Sequence, residues 1–211
     1  MTKDPCEALK QLVEERRREL GDAHLETLTA MLDLADCCWR EGRLIAARKL
    51  EEQVVEGRCR QLGERHPETL KAIGKLAVTL AAQGDLMQAR RLQEEVVERR
   101  RSLFGEADIE TLRALNNLAG TIASEGNLVE ARELLENVVA TTCREFGEQH
   151  PDSLAAMGNL ASILWQEGDR SEGYALQQHV IEMQSRVYGE SGEPTRAAVA
   201  VLRMMERYPD F

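Results

Sequence analysis

Glycines recur every 42 residues along this chain, at 21, 63, 105, 147 and 189, and a second series at 42, 84, 126 and 168 keeps the same step. The two series hold a constant offset of 21 residues. A shared period of this size constrains the fold more than any local motif. It points to a solenoid of stacked helical repeats, in which each unit buries its apolar face only against its neighbours. Because such an array grows by addition, the 211 residues are expected to form a single repeat domain over 1–211 rather than two globular domains.

The stretch from 63 to 104 is the clearest copy. His66-Pro67-Glu68-Thr69 reads as a helix start, with the proline suited to the first helical position and the glutamate set against the positive helix end. In the helix that follows, helix A, Leu70, Ile73, Leu76, Ala77 and Leu80 form one apolar stripe at spacings of three and four, and Gly84-Asp85 marks its stop. Helix B then starts near Leu86, carries Ala89, Leu92, Val96 and Val97 inward, and ends around Phe104. Two helices joined by a short glycine turn make an αα-hairpin.

The other copies repeat these columns. Leu34, Leu76, Leu118 and Leu160 are each followed by alanine, and Ala47, Ala89 and Ala131 with Gly173 form a second small column where helix axes must approach. Leu50, Leu92, Leu134 and Leu176 and then Val54, Val96, Val138 and Val180 complete the stripe of helix B. The ends read as half units: residues 5–20 align with a lone helix B, and 189–211 hold a C-terminal capping helix aligned with helix A. Arg203 there stands in a column otherwise held by alanine, as suits a polar cap. Between the ends lie four repeats, 21–62, 63–104, 105–146 and 147–188, so the expected count is ten helices.

Charge and composition narrow the function. A formal net charge of −10 argues against binding nucleic acid, which rests on Lys and Arg neutralising phosphates. No apolar run approaches the roughly 18 residues of a membrane span, and the N-terminus lacks the apolar core of a signal peptide, so a cytoplasmic protein is expected. The five cysteines, at 6, 37, 38, 59 and 143, are an odd number at irregular spacing, and reduced thiols are expected of them. No cofactor and no metal are expected, since no CxxC or Cys/His cluster with ligand spacing occurs.

Small Ala/Gly columns in both helices, a leucine before the first and a glycine turn between them resemble the tetratricopeptide repeat. The longer 42-residue period, with GERHPETL, GEQHPDSL, LNNLAGTIASEGNLVEARELLENVV and GNLASILWQEGD, resembles its kinesin light chain and nephrocystin type. The likeness covers nearly all of residues 5–207. Departures fall at Leu25, where the pattern has proline, at Asp108-Ile109, where it has His-Pro, and at Gly173. The motor-binding coiled coil of a kinesin light chain has no counterpart, because no sustained heptad precedes residue 20.

The resemblance implies an all-α, right-handed α-solenoid whose helices A line a concave groove for an extended or helical peptide. Carried over by column, the groove positions hold Lys71, Lys75, Arg113, Asn116, Asn117 and Asn159, with Gly74, Gly120 and Gly158 among them. Such a groove is expected to read an acidic or carboxylate-bearing peptide, the asparagines bonding its backbone and the cations steering its charge. Trp39 and Trp165 share a column and would bracket the groove as apolar anchors or pack at the turn.

Other periodic features have simpler readings. His24, His66 and His150 share a column, but copies about 10 Å apart cannot share an ion held about 2 Å from each ligand, so helix capping is expected. Arg16, Arg58 and Arg100, with glutamates facing them, are expected on a solvated, ion-paired face. No GxSxG, phosphate loop or HExxH occurs, and Cys37-Cys38 is the one candidate nucleophile. The expected function is a non-enzymatic adaptor and scaffold for a protein or peptide partner. The alternatives are a small-molecule-binding or catalytic accessory protein using the same groove, with Cys37 or Cys38, and a scaffold that self-associates into a homo-oligomer.

Overall fold

A computed structural model describes residues 5–207, so the outermost residues of the expected domain and of its C-terminal cap lie outside it. The described residues form ten α-helices and no strand: α1 (Pro5–Leu20), α2 (Leu25–Arg40), α3 (Leu44–Leu62), α4 (Pro67–Ala82), α5 (Leu86–Phe104), α6 (Ile109–Ser124), α7 (Leu128–Phe146), α8 (Pro151–Glu167), α9 (Arg170–Tyr188) and α10 (Glu193–Arg207). Even-numbered helices are of type A and odd-numbered ones of type B.

The helices divide into two compact units, one ending at Ser102 and the other beginning at Leu103. In the first unit α2 packs against α1 and α3, and α3 against α4. The second runs the same way through α6, α7, α8, α9 and α10, with α8 also touching α6 and α10, the helices A on either side. Consecutive antiparallel packing without strands makes each unit a stretch of α-solenoid.

Local chemistry sets the helix ends. Nδ1 of His24, His66 and His150 accepts a hydrogen bond from the backbone N–H two residues on, at 3.3, 3.2 and 3.2 Å, so the histidine column caps α2, α4 and α8. At α6 the same place is filled by Asp108, whose carboxylate accepts from the Thr111 N–H at 2.9 Å. Gly63 closes α3 at φ 86°, a value that L side chains rarely adopt, and Gly84 opens the way to α5 at φ 85°. A buried hydroxyl column then ties the turn to helix A at α2, α8 and α10. Thr27, Ser153 and Thr195 donate to the carbonyls of Gly21, Gly147 and Gly189 at 2.8, 2.8 and 2.9 Å.

The alanine columns are packed as their size requires. Ala35, Ala77, Ala119 and Ala161 on helices A, and Ala47, Ala89 and Ala131 on helices B, are all fully buried. Gly173 departs from its column because α9 comes closer to α8 than an alanine permits. A Cβ built there would lie 2.7 Å from the Ala161 carbonyl oxygen and 2.9 Å from the Trp165 nitrogen.

Two expectations are corrected. The five thiols are not all reduced: Cys6 in the first turns of α1 and Cys37 near the end of α2 form a disulfide. The antiparallel packing of α1 on α2 brings their Cα atoms to 5.7 Å, within bonding range. The arginine column of helix B is a solvated, ion-paired position only at Arg16, which lies between Glu19 and Glu26. Arg58 and Arg100 are buried, at 3% and 5% exposure. Arg58 crosses from α3 to the start of α4, donating to the Glu68 carbonyl oxygen at 2.9 Å and to the Thr29 hydroxyl at 3.2 Å, with the Glu68 carboxylate at 3.2 Å.

Candidate functional site: the outward faces of helices A

Helices A bury the positions that meet helix B and leave four columns outward, except in α2, where Leu32 of one such column is buried. In the first unit these columns on α4 hold Lys71, Gly74, Lys75 and Val78. Lys71 is exposed and has no ion pair among the described residues. Lys75 is half-buried and its ammonium sits on the Asp36 carboxylate of α2. Beneath this pair lies Glu51 of α3, 2% exposed, accepting from the Thr79 hydroxyl at 2.9 Å while its second oxygen has no partner. Burial pushes its carboxyl above the ordinary range, against the Thr79 hydrogen bond that holds it down.

In the second unit Arg113 of α6 grips Asp152 of α8 through two hydrogen bonds, at 2.7 and 2.9 Å, and also pairs with Glu110. Its hydrogen bonds to Asp152 hold its proton more firmly than in an isolated arginine. One turn further, the Asn159 side-chain amide donates to the Asn116 oxygen at 3.0 Å, linking α8 to α6, and Asn117 is exposed beside them. Gly74 and Gly120 face open space, with nothing within 4 Å of a built Cβ, and Gly158 meets only the Gln177 oxygen at 4.0 Å. The intramolecular packing therefore does not require them.

The outward columns continue into α10 as Val201 and Met204, a step that column arithmetic would have reached had it been carried one period further. Met204 is 63% exposed. With Leu128, Ser162, Trp165, Gln166 and Met205 these residues line an open groove of about 830 Å³. Trp165 forms one wall, and the Arg170 guanidinium stands 5.8 Å from its ring centre. Its column mate Trp39 is 42% exposed at the end of α2.

Of the predicted residues, then, Asn116, Asn117 and Asn159 come together with Arg113 on one face, Trp165 lies at the α10 end of the same unit, and Lys71 and Lys75 share a face of the other. Two of the three cations already hold carboxylates, which column positions alone could not reveal.

The thiols offer little nucleophilic chemistry. Cys37 is spent in the disulfide and Cys38 is 3% exposed. Burial pushes the Cys59 and Cys143 thiols up, away from the reactive thiolate. Cys6, Cys37 and Glu41 form a cluster of potential metal ligands within 4.8 Å of one another. Its two sulfurs are bonded to each other.

Open, polar faces on a stack of helical hairpins define an α-solenoid interaction scaffold. Tetratricopeptide repeat models match residues 68–121 and 110–172, and a second model of the same repeat matches 27–68 and 153–192. The chain belongs to the tetratricopeptide repeat family, in its kinesin light chain type. Two crystal structures of a kinesin light chain-like protein of Podosopora anserina with nearly identical repeats, one a point variant, are 30% identical to it, with TM-scores of 0.69 and 0.66. Each match covers 86% of both chains. BtubC (BKLC) of P. vanneervenii, at 17% identity and a TM-score of 0.67 over 97% of this chain and 91% of that one, shares the fold. No curated protein matches the chain. The repeat family is generally non-catalytic and takes protein partners, and no described helix is long and apolar enough to cross a membrane.

Proposed function

We propose that the chain is a non-enzymatic adaptor that holds a peptide or protein segment on the outward face of its helices A. The observation that supports this reading most is the open glycine floor of each unit's helix A face, Gly74 in the first and Gly120 in the second. Glycine inside a helix costs about 1 kcal/mol against alanine, and no described residue outside the helix's own turns lies within 4 Å of a Cβ built at either. In the second unit a segment lying on that floor would meet the Asn116–Asn159 amides for its backbone and the Trp165, Val201 and Met204 groove for an apolar side chain. An acidic side chain is read by Lys71, because Lys75 and Arg113 accept a new carboxylate only by giving up Asp36 and Asp152.

The expected partner is thus a protein rather than a nucleic acid, and the expected compartment is the cytoplasm. Anisotropy of a labelled acidic peptide tests the groove. Binding weakened about tenfold by Lys71→Glu, on the first unit's face, or by Asn159→Ala, on the second's, supports it, and identical affinity for wild type and both variants sinks it. A small apolar molecule could occupy the same 830 Å³ groove, and a thermal shift lost in Met204→Glu would favour that second reading.

A further inference from the structure

The most exposed apolar residues of the first unit gather at another place, the edge where helices A turn into helices B. The second position of helix B carries Ile45 in α3 and Met87 in α5, which are 72% and 82% exposed. Trp39, in the last turn of α2, adds an indole to the same edge at 42% exposure. Single exposed apolar residues need no explanation, but large ones recurring at one column of one edge mark a surface that something covers.

Unpaired cations accompany them. Arg40 follows Trp39, Lys49 lies one helical turn beyond Ile45, and Arg91 lies one turn beyond Met87. All three are exposed, and none has an ion pair among the described residues. Ile45, Ala46 and Lys49 share an open depression of about 710 Å³ with Gln83 at the end of α4. Arg48 spans the same place, donating to the Gln83 oxygen at 3.4 Å while pairing with Glu52. In the second unit the column of Ile45 and Met87 holds Val129 and Ser171, and the column of Lys49 and Arg91 holds Glu133 and Ala175, neither of them a cation. The combination of bare apolar side chains and unpaired cations belongs to the first unit.

We propose that the A-to-B turn edge of the first unit is a docking surface for an acidic amphipathic segment of a partner protein. Its apolar side chains would cover Ile45 and Met87, and its carboxylates would meet Arg40, Lys49 and Arg91. Charge selects this occupant. The whole chain carries −10, so a broad anionic surface such as a bilayer is repelled by the rest of the molecule. A short acidic segment feels mainly the local cations within about 10 Å, the screening length at 0.1 M salt. The surface stands apart from the helix A faces, so the inference does not depend on the function proposed for them.

The test uses the whole chain and a labelled helix-forming peptide with leucines on one face and glutamates on the other, with a lysine-for-glutamate peptide as control. The glutamate peptide is expected to bind and the lysine peptide not to. The double variants Ile45→Ser/Met87→Ser and Lys49→Glu/Arg91→Glu are each expected to weaken binding by about tenfold or more. The same losses are expected in a Lys71→Glu background, where the helix A faces no longer compete for the acidic peptide. All five positions are exposed, and unaltered helical circular dichroism verifies that the variants fold. Affinity indifferent to the edge variants in that background overturns the proposal. So does sedimentation with phosphatidylserine vesicles in place of peptide binding, or an Ile45-dependent dimer in light scattering.

Discussion

Glu51 is a carboxyl placed where its neighbours in the repeat have neutral groups: the same buried column holds Gln93, Leu135 and Gln177. Its folded-state pKa lies above its unfolded value, chiefly because burial disfavours the charge. The folded state therefore holds this proton more tightly. The contribution is fully present below the unfolded carboxylate value and is lost as pH rises through the folded one. Glu51→Gln, which copies Gln93, is expected to raise Tm at neutral pH and to flatten the fall of stability with pH above about 4.3, as measured by thermal melts across a pH series. The histidine caps give a second residue-scale expectation. His66→Ala should cost about 1 kcal/mol in a denaturant titration, whereas His66→Asp, which copies Asp108, should restore most of it. The cap was legible in the sequence because a proline follows His66 and His150. Glu51 was not, because a glutamate preceding Glu52 in a charged helix reads as surface until the apolar Leu135 of its column is given equal weight.

Among whole helices, the glycines within the elements separate into two kinds. Gly74→Ala and Gly120→Ala fill open space and are expected to stabilise folding by about 1 kcal/mol each. Gly173→Ala gains the same helical preference but drives a methyl into the backbone of α8, and should destabilise by about 1–3 kcal/mol net of relaxation. Calorimetry of the three variants checks the opposite signs. Sequence reasoning put Gly74 and Gly120 on the groove face and saw Gly173 as a departure from an alanine column, but it could not give the sign of Gly173→Ala, which depends on how closely α9 approaches α8. For the same reason it missed Arg58. A long cation flanked by glutamates fits a solvated face equally well, and only the closeness of the end of α3 to the start of α4 turns it inward.

For the whole molecule, the fold class and the ten helices were readable from the 42-residue period, because a repeat multiplies every weak local signal by its number of copies. The Cys6–Cys37 bond has no copy and so had no such amplification. It closes a separation of 31 residues, and reduction is expected to lower stability by about 3 kcal/mol. Melts with and without a phosphine reductant measure this, and non-reducing peptide mapping identifies the bonded pair. The ion pairs over the helix A faces were illegible for the same reason. Asp36 and Asp152 lie about 40 residues from Lys75 and Arg113 in sequence, and their pairing depends on how neighbouring helices A are set side by side.

The buried column of Glu51, Gln93, Leu135 and Gln177 gives the protein an unusual experimental property. One polypeptide thus carries a substitution series at one site, and the cage changes with the residue: Glu51 and Gln93 share a threonine column, Thr79 and Thr121, which becomes Ile163 beside the repeat of Leu135. An engineer who wishes to retune one repeat can therefore draw the residue and its cage together from the next, with the donor repeat as the control that it folds.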